Sequence, residues 1–497
     1  MQTPTPENPA LRRSLNVWEA IALSVALMAP SMAANINPQG TASVVGRAVP
    51  LSFAIATVCA FLIAYSFVRL TQRYSHAGSV YGFVGATLGP RAGIVSGWLL
   101  AIVYAFYAIF TAVAAGKFLV GEVRTLGVWT HAPDWLGYVF AAIALGVVWF
   151  FATRTARRAT QLMLIVEALT VILILIVVAI IFAKLLVGDT PNGQTFDLSV
   201  FIPAPNSDIS GVFLGVVFGL LSFGGFEGAA TLGEETKSPR RDVPRAIWGT
   251  VLFGGIFYVI VTAAEVMGFG TSPKEIDAFV ASPSLLGDLS DQYVSVWLGH
   301  VITFGAAISA LSGALACTVG SSRLVFALSR DGAGPRSVAK VSGKHGVPHR
   351  AVAAVIIFSL IYLAIGLVTN ISPFDEAVIA GTAGTLMLIV CYFLACAGST
   401  RLFFTPGSTI RKWELIVPAL AMITLIYTMF RNIYPFPEGT AWWGPGIFIG
   451  AVVLTILGVL IRPEAVRAAG RRLTESEGLI LPGDESGSRI SDPALAE

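Results

Sequence analysis

Apolar runs of about twenty residues, the length a helix needs to cross a bilayer, recur throughout this chain, and two of them are interrupted where hydrocarbon demands an unbroken helix. The first interruption, residues 29–40, reads A-P-S-M-A-A-N-I-N-P-Q-G within an apolar segment spanning 17–45. The second, S-F-G-G-F-E-G at 222–228, lies in a later segment. A backbone N–H or C=O freed in hydrocarbon is expensive unless it faces protein, water or a ligand. Two broken segments at corresponding places in two halves of a chain are the pattern of a carrier's substrate site near the membrane midplane.

At 497 residues, 55% hydrophobic and 12% charged, with a mean hydropathy of +0.76, the chain is too apolar for a soluble globular protein of this size. The net charge of +3 gives no footing for nucleic acid. Cys59, Cys317, Cys391 and Cys396 sit in apolar runs without metal-ligand or disulfide-framework spacing and read as small hydrophobes. No cleavable signal is expected, because residues 1–16 are polar and the first apolar run is too long for an h-region. Residues 1–16 read as a cytoplasmic tail, and 462–497, rich in Glu, Ser, Gly, Pro and Asp, as a disordered cytoplasmic tail.

Between the tails, residues 17–461 form one all-α integral membrane domain with twelve expected transmembrane helices. They fall at about 17–45, 50–70, 92–120, 135–151, 162–187, 209–232, 246–269, 294–328, 351–368, 377–397, 413–430 and 443–461. With the N-terminus inside, only Arg47, Lys117, Arg124, Lys184, Lys274 and Arg431 fall outside, leaving 26 of the 32 Lys and Arg in the cytoplasm. That bias satisfies the positive-inside rule and places both termini in the cytoplasm of a cell-membrane protein. The breaks lead two sets of five helices, about 17–187 and 209–397, with the last two helices appended. An odd number of spans per set makes them an inverted repeat.

In the first break, the amides of Ser31, Met32 and Ala33 begin the resumed half-helix, a positive dipole end suited to a substrate carboxylate. A proline kink satisfied by neighbouring helices is the alternative; Asn35, Asn37 and Gln39, costly as passengers in a membrane, favour a site. In the second, Gly224, Gly225 and Gly228 permit unwinding, so that carbonyls can receive an ammonium, while Phe223 and Phe226 offer aromatic cover. Glu227 either couples an ion or caps freed amides. Glu167, in L-M-L-I-V-E-A-L-T-V, is a candidate proton carrier, with a hydrogen-bonded structural glutamate as the alternative. Glu265 is expected to reach water, and Lys117 and Lys184 to snorkel. No Walker A, H-E-x-x-H or G-x-S-x-G sequence is present, and the five histidines are scattered, so no enzyme, cofactor or metal is indicated.

Three longer stretches carry a family resemblance. Y-S-F-V-R-L-T-Q-R-Y-S-H-A-G-S-V-Y-G-F-V at 65–84, F-G-G-F-E-G-A-A-T-L-G-E-E-T-K-S-P-R-R-D-V-P-R-A-I at 223–247 and S-S-R-L-V-F-A-L-S-R-D-G-A-G-P at 321–335 resemble the helix-two exit, helix-six signature and helix-eight exit of amino acid, polyamine and organocation (APC) transporters. The resemblance implies a LeuT-type 5+5 inverted repeat plus two helices, moving an amino acid or small amine by alternating access. The expected coupling ion of such a transporter is a proton, with sodium as the alternative. An amine exchanger, or a substrate sensor with a transporter fold, are its alternatives. By carry-over, Ser31, Met32 and Ala33 would hold the substrate carboxylate, and the backbone of Phe223, Gly224 and Gly225 its amino group. The chain departs from the family in two places. S-M-A replaces a glycine-rich G-S-G in helix one, and Glu167, counted without gaps from Gln161, stands where many members carry a sodium-mimicking lysine.

Overall fold

A segment surrounded by lipid must pair its own backbone groups, and helices do so within themselves. In the computed structural model, which describes residues 17–74, 80–154, 157–203, 208–231, 238–340, 347–404, 410–461, 463–464 and 466, helices supply the regular structure of the described residues. In order they are α1 (Val17–Met28), α2 (Pro30–Val45), α3 (Val49–Arg73), α4 (Val80–Leu88), α5 (Pro90–Thr125) and α6 (Leu136–Ala152). Next come α7 (Arg157–Val187), α8 (Ile209–Phe223), α9 (Gly228–Thr231), α10 (Pro239–Phe269), α11 (Pro273–Ala281) and α12 (Leu285–Tyr293). The series closes with α13 (Val296–Arg330), α14 (His349–Val368), α15 (Pro373–Arg401), α16 (Ile416–Ile433) and α17 (Trp443–Ile461).

Nine stretches of the described residues are long and apolar enough to span a membrane, and α6 and α8 are shorter apolar helices beside them. The first stretch, Val17–Arg73, holds 57 residues. At about 1.5 Å per residue it is far longer than a hydrocarbon core of about 30 Å, and it turns at Gly46, whose φ of 59° suits glycine. The protein is therefore a multi-span membrane protein. Its core strip is α5, 89% buried across its most apolar window against 22% for the stretch containing α16, so α5 is central and α16 peripheral. Around α5 pack α13, α15, α6 and α4; α2 lies on α8, and α10 on α3 and α1.

Without a hydrophobic drive between helices in lipid, close approach depends on small residues. A Cβ on Gly116 of α5 would stand 2.2 Å from the Gly137 carbonyl oxygen of α6, and one on Gly93 would stand 2.7 Å from the Gly85 Cα of α4. Peripheral faces are the reverse: Ile172, Leu175 and Ile176 on α7, and Ile423 and Ile426 on α16, point outward, as lipid contact requires. Polar caps mark several helix starts. Asp208 accepts from Gly211 N–H, Ser372 accepts from Asp375 N–H, and Ser272 with Glu275 forms a capping box.

Several boundaries differ from expectation. The first interruption is one residue, Ala29 in the left-handed region (φ 45°, ψ 58°), and α2 then runs unbroken through Pro38. The second spans residues 224–227, between α8 and α9. Residues 80–88, outside the expected spans, form α4, and α11 and α12 fill the connection between α10 and α13. The tails at 1–16 and 462–497, except 463, 464 and 466, lie outside the described residues, as does the 232–237 part of the acidic signature.

Candidate transport site

At the first break, α1 ends at Met28, Ala29 turns the chain, and Pro30 begins α2 in the position where its missing N–H costs nothing. The next two amides are not left free. Ser31 N–H donates to Glu167 Oε1 at 2.9 Å, and Met32 N–H to Ser309 Oγ at 3.2 Å. Ala33 N–H closes back onto the Ala29 carbonyl at 2.9 Å. The helix start thus attracts an anion as its dipole dictates, but the anion is supplied by α7 of the same chain. Glu167 is 6% exposed, and its second oxygen, Oε2, has no hydrogen-bond partner; nor does the Ser31 hydroxyl.

The three amides of α2 knit the helix to its neighbours. Asn35 donates to the Ser31 carbonyl at 2.8 Å, and its Oδ1 accepts from Ser284 Oγ at 2.8 Å and Leu286 N–H at 2.9 Å. Asn37 donates to Ser222 Oγ at 2.6 Å, beside the second break. Gln39 donates to the carbonyls of Phe279 and Ser282 and accepts from Lys117 Nζ. Lys117 therefore turns inward instead of snorkelling, its ammonium 4.6 Å from the Phe374 ring centre. Asn35, expected at the substrate, anchors α12 in this conformation.

At the second break, Gly225 has φ 118°, and a Cβ there would lie 3.1 Å from the Leu27 carbonyl carbon of α1. Both conformation and space require glycine. The same contact brings the two breaks together. Glu227 closes the turn: its Oε2 accepts from Gly225 N–H at 3.0 Å and Tyr392 OH at 2.8 Å, and its Oε1 from Tyr104 OH at 3.1 Å. Three donors fix it as a cap. The Phe223 carbonyl accepts Phe226 N–H at 3.1 Å and the Gly225 carbonyl accepts Gly228 N–H at 2.9 Å. Phe223 and Phe226 are fully buried, stacked edge-on against Tyr258 and Phe67 respectively. Gly224 and Tyr104 keep partial exposure among buried neighbours.

Ala29, Thr111 and Gly313 meet where α1–α2, α5 and α13 converge: a Cβ on Gly313 would stand 3.2 Å from Thr111 Cγ2 and 3.3 Å from Ala29 Cβ. Broken helices crossing at the centre of a bundle, with helix ends facing polar side chains, are what a solute needs to exchange its water shell for protein groups.

The profile of the amino acid permease family matches residues 31–466. The chain belongs to that family. Its members are transporters, not enzymes. Among curated relatives, the branched-chain amino acid permease BcaP of Bacillus subtilis (strain 168) is 25% identical over 85% of this chain and 88% of its own. Cationic amino acid transporter 7, chloroplastic, of Arabidopsis thaliana is 24% identical over 90% of this chain and 75% of its own. The low-affinity putrescine importer PlaP of Escherichia coli (strain K12) is 24% identical over 67% and 71%.

Within this permease, Ser309, Tyr104 and Tyr392 complete the breaks and escaped the sequence reading. A lone serine or tyrosine in a long apolar helix is the only trace they leave, and many such residues merely bond their own helix. Glu265 corrects an expectation outright. It is 0% exposed, and neither of its carboxylate oxygens has a partner.

Proposed function

We propose that this permease imports an amino acid or related small amine across the cell membrane by alternating access, coupled to protons. The observation that carries the reading is the contact between the two helix breaks at Leu27 and Gly225, because a site shared by two broken helices can be exposed to either face as one set of helices rocks on the other. The relatives' printed substrates, branched-chain amino acids, cationic amino acids and putrescine, set the chemical range. Nine long apolar stretches, the first of them folded into two crossings, together with α6 and α8, support twelve spans in a 5+5+2 order with both termini cytoplasmic.

On this reading the end carrying Gln39, Lys117 and α11–α12 faces outward and is sealed. Ser31, Met32, Ala33, Phe223, Gly224, Gly225 and Phe226 surround the substrate position. Glu167 and Glu265 are carboxylates on the long apolar helices α7 and α10 with unpartnered oxygens on which a travelling proton can sit, whereas Glu227 is held by three donors. Counterflow in proteoliposomes tests transport: preloaded unlabelled substrate should accelerate uptake of label, and failure to do so with a ligand that binds would leave a sensor, not a carrier. A pH gradient should drive accumulation in wild type and lose most of its effect in Glu265→Gln. Uptake indifferent to the gradient would remove proton coupling.

A further inference from the structure

The amides expected to receive a substrate carboxylate are already taken. Ser31 N–H is bonded to Glu167 Oε1 and Met32 N–H to Ser309 Oγ, so the start of α2 holds a carboxylate belonging to the protein. The dipole at a helix N-terminus is worth about half a positive charge. With Glu167 ionised, its full carboxylate charge leaves the spot net negative. An amino acid would bring a second carboxylate against Glu167, a like-charge contact in a low-dielectric interior, with no free amide at Ser31 or Met32 to offset it.

What the spot lacks is a full positive charge. Glu167 is 6% exposed and its Oε2 has no hydrogen-bond partner, and the hydroxyl of Ser31, 0% exposed and on the residue whose N–H holds Glu167 Oε1, has none either. An ammonium supplies three N–H donors and the missing positive charge. Resting on the transport reading above, we propose that this permease is built for amines that lack a carboxylate, mono- or diamines, with the ammonium seated on Glu167 Oε2 and the Ser31 hydroxyl. The α-carboxylate subsite is filled from within, and the coupling role then falls to Glu265.

Matched pairs test this: putrescine against ornithine, and isoamylamine against leucine, each differing by one carboxylate. Thermal shift and competition binding on the purified full chain should show each amine binding at least about tenfold more tightly than its parent amino acid. Glu167→Gln, which keeps an acceptor for Ser31 N–H but removes the charge, should weaken putrescine by about tenfold or more. Glu167→Ala, which frees Ser31 N–H and removes the charge, should narrow or reverse the preference between each pair. Ornithine or leucine binding as tightly as its amine, no binding of either amine, or an unchanged putrescine affinity in Glu167→Gln would overturn the proposal. Counterflow with the same compounds separates the two readings. Amines that bind without counterflow refute transport and leave the amine site standing, whereas counterflow by leucine or ornithine alone keeps transport and refutes the amine site.

Discussion

Asn35 shows how a polar residue in a membrane helix earns its place. Its side chain bonds the Ser31 carbonyl, the Ser284 hydroxyl and the Leu286 amide, tying the first turn of α2 to α12. Replacing it with alanine leaves two donors and an acceptor short of a partner in a buried setting. We expect Asn35→Ala to cost about 2–4 kcal/mol, read as a lowered unfolding midpoint in detergent, without abolishing amine binding. If Asn35 were instead a substrate ligand, binding would be lost and the midpoint little changed. Glu167 and Glu227 illustrate the converse: both are buried carboxylates at helix breaks, yet one keeps an unpartnered oxygen and the other is saturated by Gly225, Tyr104 and Tyr392. No property of a glutamate in sequence distinguishes the two.

The α11–α12 pair caps one end of the bundle, and its ties are polar. Gln39 reaches the carbonyls of Phe279 and Ser282, and Ser282 Oγ donates to Asp288 Oδ2 at 2.7 Å. Nearby, Glu122 and His300 form a 2.8 Å pair. Burial pushes the Asp288 carboxyl up from 3.8 to about 6, with Asp291 adding to the rise and the Ser282 bond and Lys117 opposing it. A raised carboxyl pKa means that the folded state favours the protonated form, so the contribution of Asp288 is full below its ordinary value and is lost as pH rises through about 6. The wild-type unfolding midpoint should therefore fall relative to that of Asp288→Asn as pH increases across this window. A constant difference between the two proteins would show that Asp288 does not titrate there.

The arrangement of the whole bundle follows from where charge and close packing are tolerated. Arg69 pairs with Glu414, Arg330 with Asp331, and Trp98 Nε1 donates to the Ala333 carbonyl at the end opposite Gln39 and Lys117. The arginine-rich end is the one that the positive-inside rule assigns to the cytoplasm. A fluorescent protein fused after the C-terminus should therefore fluoresce in a bacterial host, and a phosphatase fused at the same point should be inactive. The opposite pair of results would invert the orientation and make the Gln39 seal cytoplasmic. An all-helical multi-span membrane chain, two broken helices and the family were legible beforehand because lipid forces long apolar helices and makes each interruption conspicuous. The lengths of the breaks were not, since Pro38 lies inside a continuous α2.

By itself the sequence determined that this chain is a many-helix membrane protein with breaks near residues 30 and 225, because hydrocarbon punishes every unpaired backbone group wherever the rest of the chain lies. Only the tertiary structure decided which groups answer those breaks. Glu167 lies 136 residues from Ser31, and Ser309 lies 277 residues from Met32. Hydrogen bonding depends on distance in space, and the packing of α2, α7 and α13 sets that distance. The same packing turned Lys117 inward and enclosed Glu265, and it placed a carboxylate of the protein where one from a substrate was expected.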